Sequence, residues 1–393
     1  MNGRVNRAIE TEPKRLPASS KRCPRAALAV ACLASLIAAA SLGGARGRHA
    51  EAVARVIPAP QAQSSAPLSS GPCPGRLSET GLYVPGSTSQ IAPGVLAYAP
   101  QYPLWSDGAT KRRWVRLPPG TRIDASNPDE WQFPIGTRFW KEFSFGERTE
   151  TRYLERVDDG SFRYASYVWD ASGHDALLAP SAGLPATREI RPGVQHDVPS
   201  EGDCRACHEG RRSPVLGFGA LQLSPDRDPL APHREWPPSD GLDLAELVKR
   251  DLLYGLPASA LTRPPRIVAP SGAARASAGY LFGNCAHCHN GSGPLASLGL
   301  DFDQSVQDDA QGYERMRGNV LGRPSRYRIP GEAQSVRVRA NRPAQSALWF
   351  RMQSRFAAAQ MPPLGTKLVD AQALTLIERW IATDRRASTV STH

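Results

Sequence analysis

Residues 151–169 read TRYLERVDDGSFRYASYVW, and this stretch decides how the first half of the chain folds. Two runs of aromatic and β-branched residues flank Asp158-Asp159-Gly160, a turn sequence suited to a hairpin. Along the second run Phe162, Tyr164, Ser166 and Val168 share one face, and Tyr167 and Trp169 the other, which is the period of a strand. The same texture extends outward over 76–200. Five of the eight tryptophans (Trp105, Trp114, Trp131, Trp140 and Trp169) lie there, in runs such as KRRWVRL and TRFWKEFSF broken by PPG, NPDE and DDG. Short runs between turn signals imply a β-sandwich or barrel over 76–200.

Beyond residue 200 the texture changes. Helical periodicity marks 243–253, 273–282, 346–356 and 370–382, with Ser346 and Asp370 as N-caps. The expected fold is therefore multidomain α+β: a β-sandwich or barrel-like N-terminal domain followed by mainly helical domains. The expected boundaries are a leader at 1–45, a Pro/Ala/Ser-rich disordered linker at 46–75, the β-rich domain at 76–200, and helical segments at 201–270 and 271–385.

The formal charge of +11 is concentrated at one end. Residues 1–50 hold nine Lys/Arg against Glu10 and Glu12, so +7 lies there and the remainder carries only +4. No basic stripe interleaved with aromatics follows, which argues against nucleic acid as a partner. Lys21, Arg22 and Arg25 precede the apolar run 26–42, the layout of an export signal. The run nearly reaches the ~20 residues that span a bilayer, so anchoring of the chain through this segment stays open. The expected location is the periplasm or another space outside the cytoplasm, free or attached to the inner membrane.

Of seven cysteines, Cys23 and Cys32 fall in the leader and Cys73 stands alone in the linker as a free thiol. The other four form Cys204-Arg-Ala-Cys207-His208 and Cys285-Ala-His-Cys288-His289. Covalent haem attachment needs two thiols that reach the vinyl groups on one porphyrin edge, and an imidazole beside the second thiol to bind iron. C-x-x-C-H supplies all three in one helical turn. The competing readings are a Cys₄ zinc site and a pair of disulfides. Zinc ribbons place their pairs within ~15–20 residues, whereas Cys207 and Cys285 are 78 positions apart, and zinc gives no reason for a His after both pairs. The chain is thus expected to carry two covalently bound haem c groups, on Cys204/Cys207 and Cys285/Cys288, with His208 and His289 as iron ligands.

Met361, in the turn MPPLG, is the expected second ligand of the His289 iron, because a thioether on a stiff turn can be held across a haem face. Met352 lies on an apolar helical stripe with Leu348 and Phe356, and Met316 in a polar loop. No Met occurs between 208 and 285; His196 and His233 are the candidates for the first iron, and an open site is the alternative.

With these residues in view, the second unit (CAHCHNGSGP, RPAQSALWFRM, MPPLG and LIERWI) resembles a class I cytochrome c domain. Over about 76–383 the chain resembles a family of exported bacterial dihaem cytochromes with a β-rich front. The resemblance rests on LSETGLY, YPLWSDGATKRRWVRLPPGTRID, FPIGTRFWKEFSF, ETRYLERVDDG, YASYVW, VPSEGDCRACH and YLFGNCAHCH. It implies electron transfer outside the cytoplasm, with redox proteins as partners, and names no donor or acceptor. The expected function is an electron carrier. The alternatives are a dihaem peroxidase-like enzyme with an open distal site at the first haem, and a binding protein whose β-rich part is the functional one.

Overall fold

The computed structural model describes residues 71–157 and 160–383, so the expected export signal, most of the expected linker, and Asp158 and Asp159 lie outside the described residues. Six strands form one antiparallel sheet in the order β1-β2-β4-β5-β6-β7. They are β1 (Leu96–Tyr98), β2 (Thr110–Arg116), β4 (Arg138–Phe145), β5 (Glu147–Arg156), β6 (Phe162–Trp169) and β7 (Ala176–Leu178). β3 (Ile123–Asp124) pairs in parallel with β10 (Leu253–Tyr254), and β8 (Leu184–Arg191) pairs with β9 (Val194–Val198). The hairpin expected at 151–169 is present: Leu154 lies opposite Tyr164 and Arg156 opposite Phe162, while the tip of its turn is outside the described residues.

The alternating aromatics cover both faces of this sheet. Val115, Phe139, Leu154 and Tyr164 form one rung across four strands, and Trp114, Trp140, Tyr153 and Ala165 form a rung on the opposite face. The first face packs on Phe218, Leu244 and Leu247, which come from beyond residue 200. The second packs on Leu77, Leu82, Tyr83 and Val95. Trp140 Nε1 donates to Thr80 Oγ1 at 2.9 Å, so the buried indole keeps its hydrogen bond.

This corrects the expectation of a sandwich or barrel. The sheet is open, with β1 and β7 at its ends, and its two apolar faces are covered by loops and short helices instead of a second sheet. The expectation of mainly helical domains after residue 200 is also corrected. Among the described residues helix amounts to 23% and strand to 21%, with seven α-helices. These are α1 (Glu201–His208), α2 (Leu244–Lys249), α3 (Ser259–Thr262), α4 (Gly272–Asn284), α5 (Asp309–Val320), α6 (Ala347–Gln353) and α7 (Ala371–Thr383). Long irregular stretches separate them. The longest, between α1 and α2, contains Pro214, Pro225, Pro229, Pro232, Pro237 and Pro238, each lacking the N–H that a helix interior requires.

Helices α4 and α7 lie within two residues of their expected bounds. α6 is short, and Phe356 falls outside it at 73% exposed while Met352 enters the core. Helix α5 was not foreseen from the sequence; it carries Met316, fully buried in a core with Tyr313 and Trp380 and not in a polar loop. Cys73, expected in a disordered linker, packs half-buried against the Trp140 face of the sheet.

Residues 101–108 fasten the sheet to the helical part. A Cβ at Gly279 of α4 would stand 2.0 Å from the Tyr102 ring, so only glycine admits that contact. Asn284 Oδ1 accepts from Trp105 N at 2.7 Å, and the Asp107 carboxylate accepts from Lys367 N at 2.9 Å and Leu368 N at 2.8 Å.

Phe218 sits where these parts meet, its ring 4.7 Å from Tyr98 and 5.5 Å from Phe139, edge-on in both cases. Phe218→Ala should cost about 3–5 kcal/mol, measured as a lower urea midpoint. Trp236→Ala, at a ring 66% exposed, should change the midpoint far less.

Candidate functional site

The first motif lies on α1. Ser200 and Asp203 form a reciprocal cap: Ser200 Oγ accepts from Asp203 N at 3.1 Å, and Asp203 Oδ2 accepts from Ser200 N at 3.0 Å. The helix thereby starts at Glu201, three residues before Cys204, and ends on His208. Cys204 and Cys207 are half-buried thiols on one turn. His208 Nδ1 donates to the Pro214 carbonyl at 2.7 Å. That bond fixes the tautomer and leaves the Nε2 lone pair free. Burial, aided by the charges of Lys141 and Arg152, pushes the His208 pKa down to about 4, so its ring is neutral at pH 7, the form that ligates a metal.

The second motif is a turn that continues α4. Cys288 N and His289 N both donate to Cys285 O, at 3.1 and 2.8 Å. Burial raises the Cys285 pKa to about 12, and burial together with the charge of Arg351 lowers that of His289 to about 4. His289 lies edge-on to Phe302, and its Nδ1 is buried without a partner.

The fold brings the two motifs into contact. Cys207 and Cys288 share a side-chain hydrogen bond, which with burial raises the Cys207 pKa to about 12, and Cys288 Sγ lies 3.8 Å from the Ala206 carbonyl. A Cβ at Gly210 would stand 2.2 Å from the His287 carbonyl, so backbone meets backbone there. Asn290 Nδ2 clamps the junction, donating to Gly210 O at 2.9 Å and Ala286 O at 2.8 Å. Arg211 adds an ion pair to Asp303 at 2.7 Å.

A cavity of about 800 Å³ opens beside the first motif, within the ~300–1,000 Å³ of pockets that enclose a cofactor. Cys204, Cys207, His208, His196 and His287 line it, as do Pro362, Pro363, Leu364 and Gly365 of the MPPLG turn. The two histidine candidates for the first site separate here. His196 faces the cavity, with Nε2 3.3 Å from Glu150. His233 stacks on Trp105 and bonds Asp370 at 2.7 Å, so it is engaged elsewhere.

Met361 lies on the loop after α6, half-buried, its amide donating to Arg351 O at 2.9 Å. The buried His287, inside the second motif but facing the first, was missed from sequence. So was the Pro214 carbonyl, because no side-chain pattern marks a backbone acceptor.

Among the described residues no three His, Cys, Asp or Glu side chains converge as a metal cage, and the four motif cysteines are unpaired thiols. Comparison with family models, curated proteins and solved structures finds no match to this chain.

Gly210→Ala should destabilise by about 1–3 kcal/mol, the usual cost of overpacking, seen as a lower thermal midpoint. Gly318→Ala, in open space on α5, should leave the midpoint unchanged or raise it.

Proposed function

We propose that the chain is a dihaem c-type cytochrome that relays electrons outside the cytoplasm. The observation that carries this reading is the side-by-side placement of two complete attachment motifs, joined at Gly210 and His287 and through Cys207 and Cys288. The residues fit the group: each motif offers two thiols and a neutral imidazole, and His208 presents a free Nε2 at a cavity of cofactor size. Cys204, Cys207, Cys285 and Cys288 would each add S–H across a vinyl group, the sulfur bonding one carbon and the hydrogen the other. His208 and His289 would hold the irons, and the bond from His208 to Pro214 strengthens its donor nitrogen. When bound, haem supplies reversible one-electron transfer.

Adjacent attachment sites favour a relay, since electrons can pass between the groups within one chain. The resemblance seen in the sequence implies the same role, without the helical domains that it first suggested. Export is part of the proposal and rests on residues 1–45. Among the described residues no helix is long and apolar enough to cross a membrane. A peroxidase-like enzyme is the second reading, favoured by the cavity at His208. It predicts carbon monoxide binding by the reduced protein, whereas a carrier with two ligands on each iron would not bind it.

Secreted protein should retain two haem masses after acid–acetone extraction, and Cys204→Ala or Cys285→Ala should reduce the retention by one. A chain that loses all haem on extraction would end the proposal. For the second iron, Met361→Leu should abolish the sulfur-to-iron charge-transfer band of the ferric protein, and Met352→Leu should keep it. The reverse result would assign the sulfur to Met352.

A further inference from the structure

On the cavity face of the sheet, Arg113 lies opposite Lys141 and Lys141 opposite Arg152, so three cations occupy one rung on neighbouring strands. All three line the cavity that holds Cys204, Cys207 and His208. Like charges placed directly opposite across strands are destabilising, and withdrawing them from water adds to the cost. Two have carboxylates: Arg113 pairs with Glu235, and Arg152 with Glu150 at 2.5 Å. The Lys141 ammonium, between them, has neither an ion pair nor a hydrogen bond among the described residues; it sits 4.8 Å from the Phe143 ring centroid.

A fourth cation reaches the same cavity from the loop after α6. Arg355 donates one bond, from Nη2 to Met352 O at 2.8 Å, and its Nε and Nη1 are buried without partners. The acids of the wall do not answer these groups. Asp107 is taken by Lys367 N and Leu368 N, Asp203 by the Ser200 cap, and Asp197 by the Lys367 side chain and Ala186 N. Burial and the neighbouring cations push Lys141 well below the ordinary lysine range, a strain that an anion in the cavity would relieve.

We propose that Lys141 and Arg355 form a carboxylate-binding site that holds the propionates of the tetrapyrrole attached at Cys204 and Cys207. The inference rests on the haem reading above. Carboxylate and small oxyanion share this chemistry, and the attached group is the favoured source because the thioether bonds would confine its two carboxylates to this cavity.

The test is a redox titration of the secreted holoprotein with Lys141→Gln, Arg355→Met, Lys141→Arg and, as a control, Lys249→Gln on the exposed face of α2. Loss of either cation should favour the ferric state of one iron about tenfold, roughly 59 mV for one electron. Lys141→Arg should restore the wild-type potential, and the control should match wild type. A cation with only a structural role would move the unfolding midpoint and leave the potential in place.

A parallel arm titrates wild type and variants with nitrite. Unmoved potentials combined with saturable nitrite binding lost in Lys141→Gln would assign the site to a free oxyanion and overturn the propionate assignment. Unmoved potentials with no nitrite effect would overturn the site altogether. Absence of haem from the peptide containing Cys204 and Cys207 in wild type would refute the haem reading and the propionate assignment with it, while the nitrite arm still reads the cationic cavity.

Discussion

The contact between Gly210 and the His287 carbonyl holds the functional part of the molecule together. It is a backbone-to-backbone contact with no room for a Cβ, and it sets the ends of two distant segments against each other. The neighbouring features act to maintain it. Asn290 donates to the Gly210 and Ala286 carbonyls, Arg211 pairs with Asp303 beside the junction, and the capped start of α1 delivers Cys204 and Cys207 to it. On the far side, α4 is pressed onto Tyr102 through Gly279, so the second motif cannot shift without disturbing the strap at 101–108. The two motifs are positioned by the whole sheet, not each by its own helices.

The same sheet sets the electrostatics of the cavity. In a strand the side chains alternate, so placing Arg113, Lys141 and Arg152 on one face also places Val115, Phe139 and Leu154 there. The apolar rung joins the core and the cationic rung borders the space beside it. The charge at the cavity wall is thus a consequence of strand register, and a slip by one residue would turn all three cations to the Trp140 face.

How much of this could be read in the sequence follows from the range of each signal. The hairpin at 151–169 and helices α4 and α7 were legible because strand alternation, turn residues, helical period and caps are local. The two C-x-x-C-H motifs were legible as complete local patterns, and their contact with each other was not. The open sheet was not, because the aromatic texture states that both faces are buried and leaves open what buries them; Phe218, Leu244 and Leu247 do so from far along the chain. Helix α1 carried a readable Ser-x-x-Asp cap at 200–203 that the C-x-x-C-H pattern overshadowed. His287 was in plain sight between two cysteines, but its orientation toward the first motif depends on a tertiary contact that no spacing encodes. Arg113, Lys141 and Arg152 lie in runs that read as strands, but their meeting on one rung depends on strand pairing, which no local run encodes.

The strand β7 ends the sheet with Leu177 at 51% and Leu178 at 38% exposed, and its outer edge is occupied by a short piece of preceding chain. Leu178 N donates to Gly75 O at 3.0 Å, Arg76 bridges Leu177, and the Tyr167 hydroxyl donates to Pro74 O at 3.0 Å. Residues 74–76 thus work as a cover strip over an apolar strand edge. Proteolytic trimming that reached Leu77 would strip that edge and leave unpaired amides and carbonyls between two exposed leucines, the arrangement through which sheets of separate molecules join. Whether residues 74–76 stay in place therefore bears on whether separate molecules stay apart.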